Sequence, residues 1–178
     1  MLGTLPWQPW ADRLDLVGSP VAAALQEWVD GPSVTVAEID PDLADTAACC
    51  ARYAIPMEAS ANCVVVAAKR AGETRLAACV VLATTRADVN GLVRRHLGAR
   101  KASFAPMDQA VEESGMEYGG ITPIGLPAAW PLLVDRAVTT AGPVIVGSGV
   151  RRSKLALDGA ALGRLRAAEV LDGLGTPV

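Results

Sequence analysis

The chain has 178 residues, a formal charge of −3 and a sequence pI near 5.2, and 51% of it is hydrophobic while only 4% is aromatic. That length fits one domain able to bury roughly 70% of its unfolded surface without disulfides or metal, and the Ala-, Val- and Leu-rich composition describes an aliphatic α/β core. The acidic balance excludes a generally basic nucleic-acid binder and leaves RNA contact to local clusters.

Residues 1–18 carry Trp7 and Trp10 among prolines and charges and are expected to lie over the domain surface. Ser19 followed by Pro20 reads as an N-cap and first helical position, with Val21, Leu25, Trp28 and Val29 on one face and Gly31-Pro32 as the stop. Val34 to Ile39 alternates at the strand period. A second helix is expected from Asp40-Pro41 or Asp45 to Tyr53. The runs Cys63–Ala67 and Leu76–Leu82, separated by the charged turn Lys69 to Glu73, predict an antiparallel hairpin at the centre of the sheet.

Asp88 opens a predicted helix with Val89, Leu92, Val93 and Leu97 at helical spacing, ended by Gly98. Ala102 to Phe104 reads as a short strand, and Pro106 opens a helix that stops at Gly115. Beyond a glycine- and proline-rich loop, Leu132–Asp135 and Val144–Gly147 read as apolar strands ending in polar residues. Lys154–Leu157, a helix from Asp158 to about Leu165, and Glu169–Leu171 complete the chain.

No run approaches the roughly 18 to 20 apolar residues needed to span a bilayer, and the first residues lack a basic region followed by an apolar one, so a cytoplasmic protein is expected. Cys49, Cys50, Cys63 and Cys79 form no CxxC pair, which points to reduced, buried thiols. With His96 the sole histidine, neither a metal centre nor a Cys/His nucleophile pair is expected, and no cofactor motif is present. Gly147-Ser148-Gly149 is not the G-x-S-x-G nucleophile elbow, so Ser148 is read as a hydroxyl or backbone donor.

What remains is a pocket of backbone. Glu117 to Pro127 packs Gly119, Gly120 and Gly125 with Pro123 and Pro127 into an almost uncharged loop, whose peptide N–H groups suit an anion or a developing oxyanion. One such donor is worth about 2.7 to 4 kcal/mol to an ester hydrolysis, enough for water to act without a side-chain nucleophile. Asp135, at a strand end, either lines this pocket or caps the turn at Arg136 to Val138. Arg94, Arg95, Arg100 and Lys101 around His96, and Arg151, Arg152 and Lys154 after the glycine turn, are the basic clusters.

Gly119-Gly120-Ile121-Thr122-Pro123-Ile124-Gly125, then Leu133-Val134-Asp135, then Gly147-Ser148-Gly149 with Lys154-Leu155, resembles the YbaK/ProX family of trans-acting aminoacyl-tRNA deacylases, related to the editing domain of prolyl-tRNA synthetases. The resemblance spans about residues 34–172, so 34–172 is expected to be the YbaK-like deacylase domain, residues 1–33 an N-terminal extension with a short helix, and 173–178 a C-terminal tail. It implies one α/β domain of the α+β type with a mixed, strongly curved sheet, and hydrolysis of mischarged tRNA by water. It implies that the loop from Gly119 to Pro123, with Gly119, Gly120 and Pro123 foremost, holds the aminoacyl end and that Asp135 and Gly147 line the same pocket; Ile121, Thr122 and Ser148 are expected to bind substrate beside them, and of the basic clusters Arg151, Arg152, Lys154, Arg100 and Lys101 are expected to contact tRNA. The partners implied are a mischarged tRNA acceptor end and an aminoacyl-tRNA synthetase, with no membrane, DNA or cofactor.

One position departs from the pattern. Members of the family usually carry a lysine where this chain has Asn62, a neutral amide that hydrogen-bonds but offers no charge. Asn62 is therefore read as orienting the ester or the water. A non-catalytic module that binds aminoacyl-tRNA or an aminoacyl adenosine stays open beside the deacylase, as does an esterase for a small aminoacylated molecule.

Overall fold

The computed structural model describes residues 2–178, and its amino-terminal segment belongs to the core. Gln8–Pro9 forms β1, Trp10 is buried with its indole Nε1 donating to the Gly31 carbonyl at 3.0 Å, and Leu16 and Val17 are buried beside it. The surface-lying arrangement expected of residues 1–18 is thus corrected, because these apolar side chains close one end of the main core. Helix α1 spans Ser19–Glu27, but its N-cap is Gly18, not Ser19. It buries Val21 and Leu25 and ends before Val29, which is exposed.

Strand β2 is Thr35–Glu38. Both acidic starts expected for the next helix are used: Asp40 accepts from the Asp42 N–H and opens a short 3-10 turn, while Asp45 accepts from the Ala48 N–H and caps α2, Thr46–Tyr53. The hairpin is longer than its apolar runs, since β3 (Ala61–Arg70) and β4 (Glu73–Leu82) pair from Ala61↔Leu82 to Arg70↔Glu73. Only Ala71 and Gly72 remain as the turn, at φ 51° and 81°, the two left-handed residues whose twist suits a two-residue hairpin loop. A short β5, Thr85–Ala87, follows.

The helix expected from Asp88 begins as a π-helical turn, Val89–Val93, before α3, Arg94–His96. The Asp88 carboxylate accepts from the Gly91 and Leu92 N–H groups and occupies the space a Cβ at residue 91 would need, so the first turn winds wide around it. Strand β6 is Lys101–Phe104, and α4 is Met107–Ser114. Strand β7 (Leu132–Asp135), α5 (Arg136–Thr139), β8 (Pro143–Gly147), β9 (Ser153–Asp158), a one-turn α6 (Gly159–Leu162), β10 (Ala168–Leu171) and β11 (Gly175–Pro177) complete the chain.

A five-stranded sheet runs β10-β7-β4-β3-β6, with β7 parallel to both β4 and β10 and the other pairs antiparallel. An antiparallel four-stranded sheet runs β1-β2-β9-β8, and β11 pairs with β5. A parallel bridge between Ser60 and Ile145 joins the two larger sheets at the entrance to β3, giving a mixed, curved surface that does not close. Val36, Val80, Val134, Val146 and Leu155 fill the space between them. No helix among the described residues is long and apolar enough to cross a membrane.

Candidate active site

A cavity of about 590 Å³ opens where the two sheets meet. The start of β3, with Asn62, forms one wall; the end of β8, with Gly147, forms another; Ala44 to Ala47 and the loop residues Tyr118, Gly119 and Ile121 close the rest. Phe104, Met107 and Tyr118 stand at its rim with exposed apolar surface.

The two glycine-rich segments dock backbone to backbone. The Gly149 N–H donates to the Gly120 carbonyl at 2.8 Å, and the Glu117 N–H donates to the Gly149 carbonyl at 2.9 Å. A Cβ at Gly120 would come within 2.7 Å of the Val150 backbone, and one at Gly147 within 2.6 Å of the Gly120 oxygen. Glycine is required at both positions by this close approach. The Gly120 N–H is spent on the Glu117 carbonyl at 2.9 Å, so it is not an open donor for a ligand. The N–H groups of Gly119 and Ile121 have no partner among the described residues, and both residues line the cavity.

Thr122 and Pro123 are buried outside the cavity lining, and the Thr122 hydroxyl has no hydrogen-bond partner among the described residues. Ser148 is also buried behind the wall, its hydroxyl 2.7 Å from Ser153 Oγ and donating to the Val150 carbonyl at 3.0 Å. It shapes the turn. Asn62 does line the cavity, and its Oδ1 accepts from Thr46 Oγ1 at 2.7 Å.

Asp135 is not in the cavity lining. It sits on β7, two strands and so ~10 Å across the sheet from β3. Only 4% exposed, it accepts from the Gly175 N–H at 2.9 Å and from the Ala137 N–H at 3.4 Å. The carboxylate caps α5 and anchors β11, which corrects its reading as a pocket residue.

Of the expected tRNA-contacting residues, Arg151 reaches the cavity. Its Nε donates to the Pro41 carbonyl at 2.8 Å, its N–H donates to Glu117 Oε2 at 2.7 Å, and its guanidinium lies 5.4 Å from the Tyr118 ring centre. Arg152 is exposed and donates to the Asp15 carbonyl. Arg100 and Lys101 are exposed outside the cavity, at the start of β6.

Lys154 is the exception to this surface set: it is 9% exposed, lines the cavity, and donates from Nζ to the Ala44 carbonyl at 3.0 Å. Burial pushes its pKa below the ordinary lysine value, an effect opposed by Cys49, Cys50 and Asp45 and reinforced by Arg151. The same burial raises the Cys49 and Cys50 thiols, which keeps them protonated and unreactive at neutral pH. Residue-type reasoning missed Lys154 as a pocket residue and missed Thr46, Phe104 and Met107 altogether.

With this geometry in view, the chain belongs to the aminoacyl-tRNA editing domain family, whose model matches residues 40–165. The fold is similar to that of a candidate trans-editing enzyme for prolyl tRNA synthetase, with a TM-score of 0.74 and 19% identity over 87% of this chain and 94% of that one. It is equally similar to the hypothetical protein APE2540, at 0.74 and 20% identity over 86% and 99% of the two chains. No curated protein matches the chain in sequence.

Proposed function

We propose that this protein is an aminoacyl-tRNA deacylase that removes a wrongly attached amino acid by hydrolysing its ester to the terminal ribose. The observation that carries this reading is the cavity wall of Gly119 and Ile121, two residues whose N–H groups have no partner among the described residues, in a cavity that Asn62 also lines and whose size suits a small aminoacyl group. Water adds to the ester carbonyl carbon, and the carbonyl oxygen takes up negative charge. Peptide donors that are fixed before the reaction stabilise that charge without reorganising. Asn62, braced by Thr46, orients the ester or the water through its amide.

The rim suits the acceptor end. Phe104 and Tyr118 offer exposed rings on which an unpaired base can stack, and Arg151 in the cavity lining, with the exposed Arg152 next to it in sequence, supplies positive charge for the adjoining phosphates. Discrimination of small side chains by one pocket is worth only about 1 to 3 kcal/mol per methylene, which is why a second hydrolytic site is useful after aminoacylation. The fold's likeness to a candidate trans-editing enzyme for prolyl tRNA synthetase makes tRNA charged by that synthetase the first substrate to try.

The test is single-turnover deacylation across a panel of correctly and wrongly charged tRNAs at fixed salt. Selective release of one small amino acid supports the reading and names the substrate. Binding of charged tRNA with no release of any amino acid overturns it in favour of a binding module.

A further inference from the structure

Lys154 is a buried ammonium with little to do in the fold. An ammonium has three donors, and the only acceptor for this one among the described residues is the Ala44 carbonyl. No carboxylate lies within ion-pair distance of it among the described residues. Such a charge is costly to bury, and a neutral donor would satisfy a single carbonyl equally well. The side chain nevertheless borders the cavity, on the strand position paired with Gly147, and the Ala44–Thr46 segment that holds it also braces Asn62.

We propose that Lys154, reaching the cavity from β9, is a catalytic residue that binds the carbonyl oxygen of the scissile ester and stabilises the oxyanion formed on it. This deepens the deacylase reading above and rests on it. In the step, the water oxygen bonds to the carbonyl carbon and the C=O electron pair moves onto the oxygen beside Lys154. The pair returns as the bond to the ribose oxygen breaks; one water proton goes to that oxygen, and the amino acid leaves as its carboxylate with release of the other. Lys154 stays protonated throughout. Asn62, on the facing wall, has no charge to offer, so in this chain the cation comes from the opposite sheet.

The experiment compares wild type with Lys154→Met, which keeps the volume, and Lys154→Gln, which keeps a donor for Ala44. Single-turnover rates at saturating enzyme are measured beside affinity for uncharged tRNA and the circular dichroism spectrum. The expected result is a rate about 100-fold lower in both variants with tRNA affinity unchanged. A folded variant that keeps the wild-type rate overturns the assignment, as does a loss confined to binding. If wild type releases no amino acid from any tRNA, the deacylase reading fails by itself. The lysine is then read in wild type through the ¹⁵N signal of its ammonium during titration with a phosphonate analogue of alanyl-adenosine, which mimics the tetrahedral state. A shift on binding supports the anion site; an analogue that does not bind, or binds without moving the signal, overturns it. The same titration decides the matter if neither variant folds.

Discussion

Gly149 donates its N–H to the carbonyl of Gly120 at 2.8 Å, and this bond fastens the loop carrying Gly119 and Ile121 to the turn after β8. The two neighbouring glycines of the loop consequently differ in what they tolerate. At Gly120 a side chain meets the Val150 backbone, which cannot give; at Gly119 it meets the guanidinium end of Arg151, which can, although φ there is +79°. Gly120→Val is expected to cost about 2 kcal/mol or more of stability and to abolish turnover, while Gly119→Ala costs about 1 kcal/mol and keeps the fold. Urea unfolding beside single-turnover assays checks both, and equal stabilities for the two variants would refute the distinction.

Asp135→Ala leaves the Gly175 and Ala137 N–H groups without their acceptor. Loss of a helix cap and of one buried hydrogen bond is expected to destabilise the protein by about 1 to 3 kcal/mol. Because Asp135 lies outside the cavity lining, the deacylation rate per folded molecule should be unchanged. A large fall in that rate, with stability intact, would return Asp135 to the site.

Arg151 lines the cavity, Arg152 follows it on the exposed surface outside the lining, and under the deacylase reading the phosphates of a bound acceptor end pass this pair. Replacing both with alanine should lower the slope of log affinity against log salt by about one to two, since each lost phosphate contact releases fewer counterions. The corresponding pair at Arg100 and Lys101 lies outside the cavity and reports whether the tRNA body extends along β6. Identical slopes for wild type and the Arg151/Arg152 variant would remove these residues from the tRNA surface.

The charged and titratable neighbours of Lys154 are Asp45, Cys49, Cys50 and Arg151, and burial is the dominant influence, holding its pKa below 10.5. Between its folded pKa and 10.5 the unfolded chain keeps a proton that the folded chain has lost, so the burial cost is full at lower pH and is relieved as pH rises through that window. Activity moves in the opposite direction. After correction for spontaneous ester hydrolysis, the wild-type rate should fall as pH rises through the folded pKa, and Lys154→Met should lack that limb.

Ala71 holds the first position of the β3–β4 turn at φ 51°, a conformation alanine disfavours and asparagine tolerates. Ala71→Asn should raise stability by about 0.5 to 1 kcal/mol in a denaturant titration without altering deacylation, because the turn is remote from the cavity lining.

Much of this structure was legible in residue patterns. The hairpin, the strands Leu132–Asp135 and Val144–Gly147, and the helix stopped at Gly115 each combine a period with a punctuating residue, and all form as expected. Residues 1–18 deceived because prolines and charges flank the apolar side chains that turn inward, so no period marks Trp10, Leu16 and Val17 as core. Strands β5 and β11 are three residues each, too short to carry alternation. Within the site, the glycines were readable because close backbone approach has a residue signature. Lys154 was not, because a basic run following a turn looks like solvated surface. Its position in β9, where Ser153 through Leu157 are all buried, depends on tertiary cover of both faces of the strand, Leu155 and Leu157 in the main core and Ala156 in the separate cluster with Cys49 and Cys50 of α2.

The family match begins at residue 40, two residues after β2 ends, yet β2 lies between β1 and β9. A protein trimmed to the matched region would present β9, the strand bearing Lys154, as a bare sheet edge with its N–H and C=O groups open to pairing by another molecule. Trimming there would therefore favour self-association, and the loss of activity that followed would be misread as a missing catalytic group.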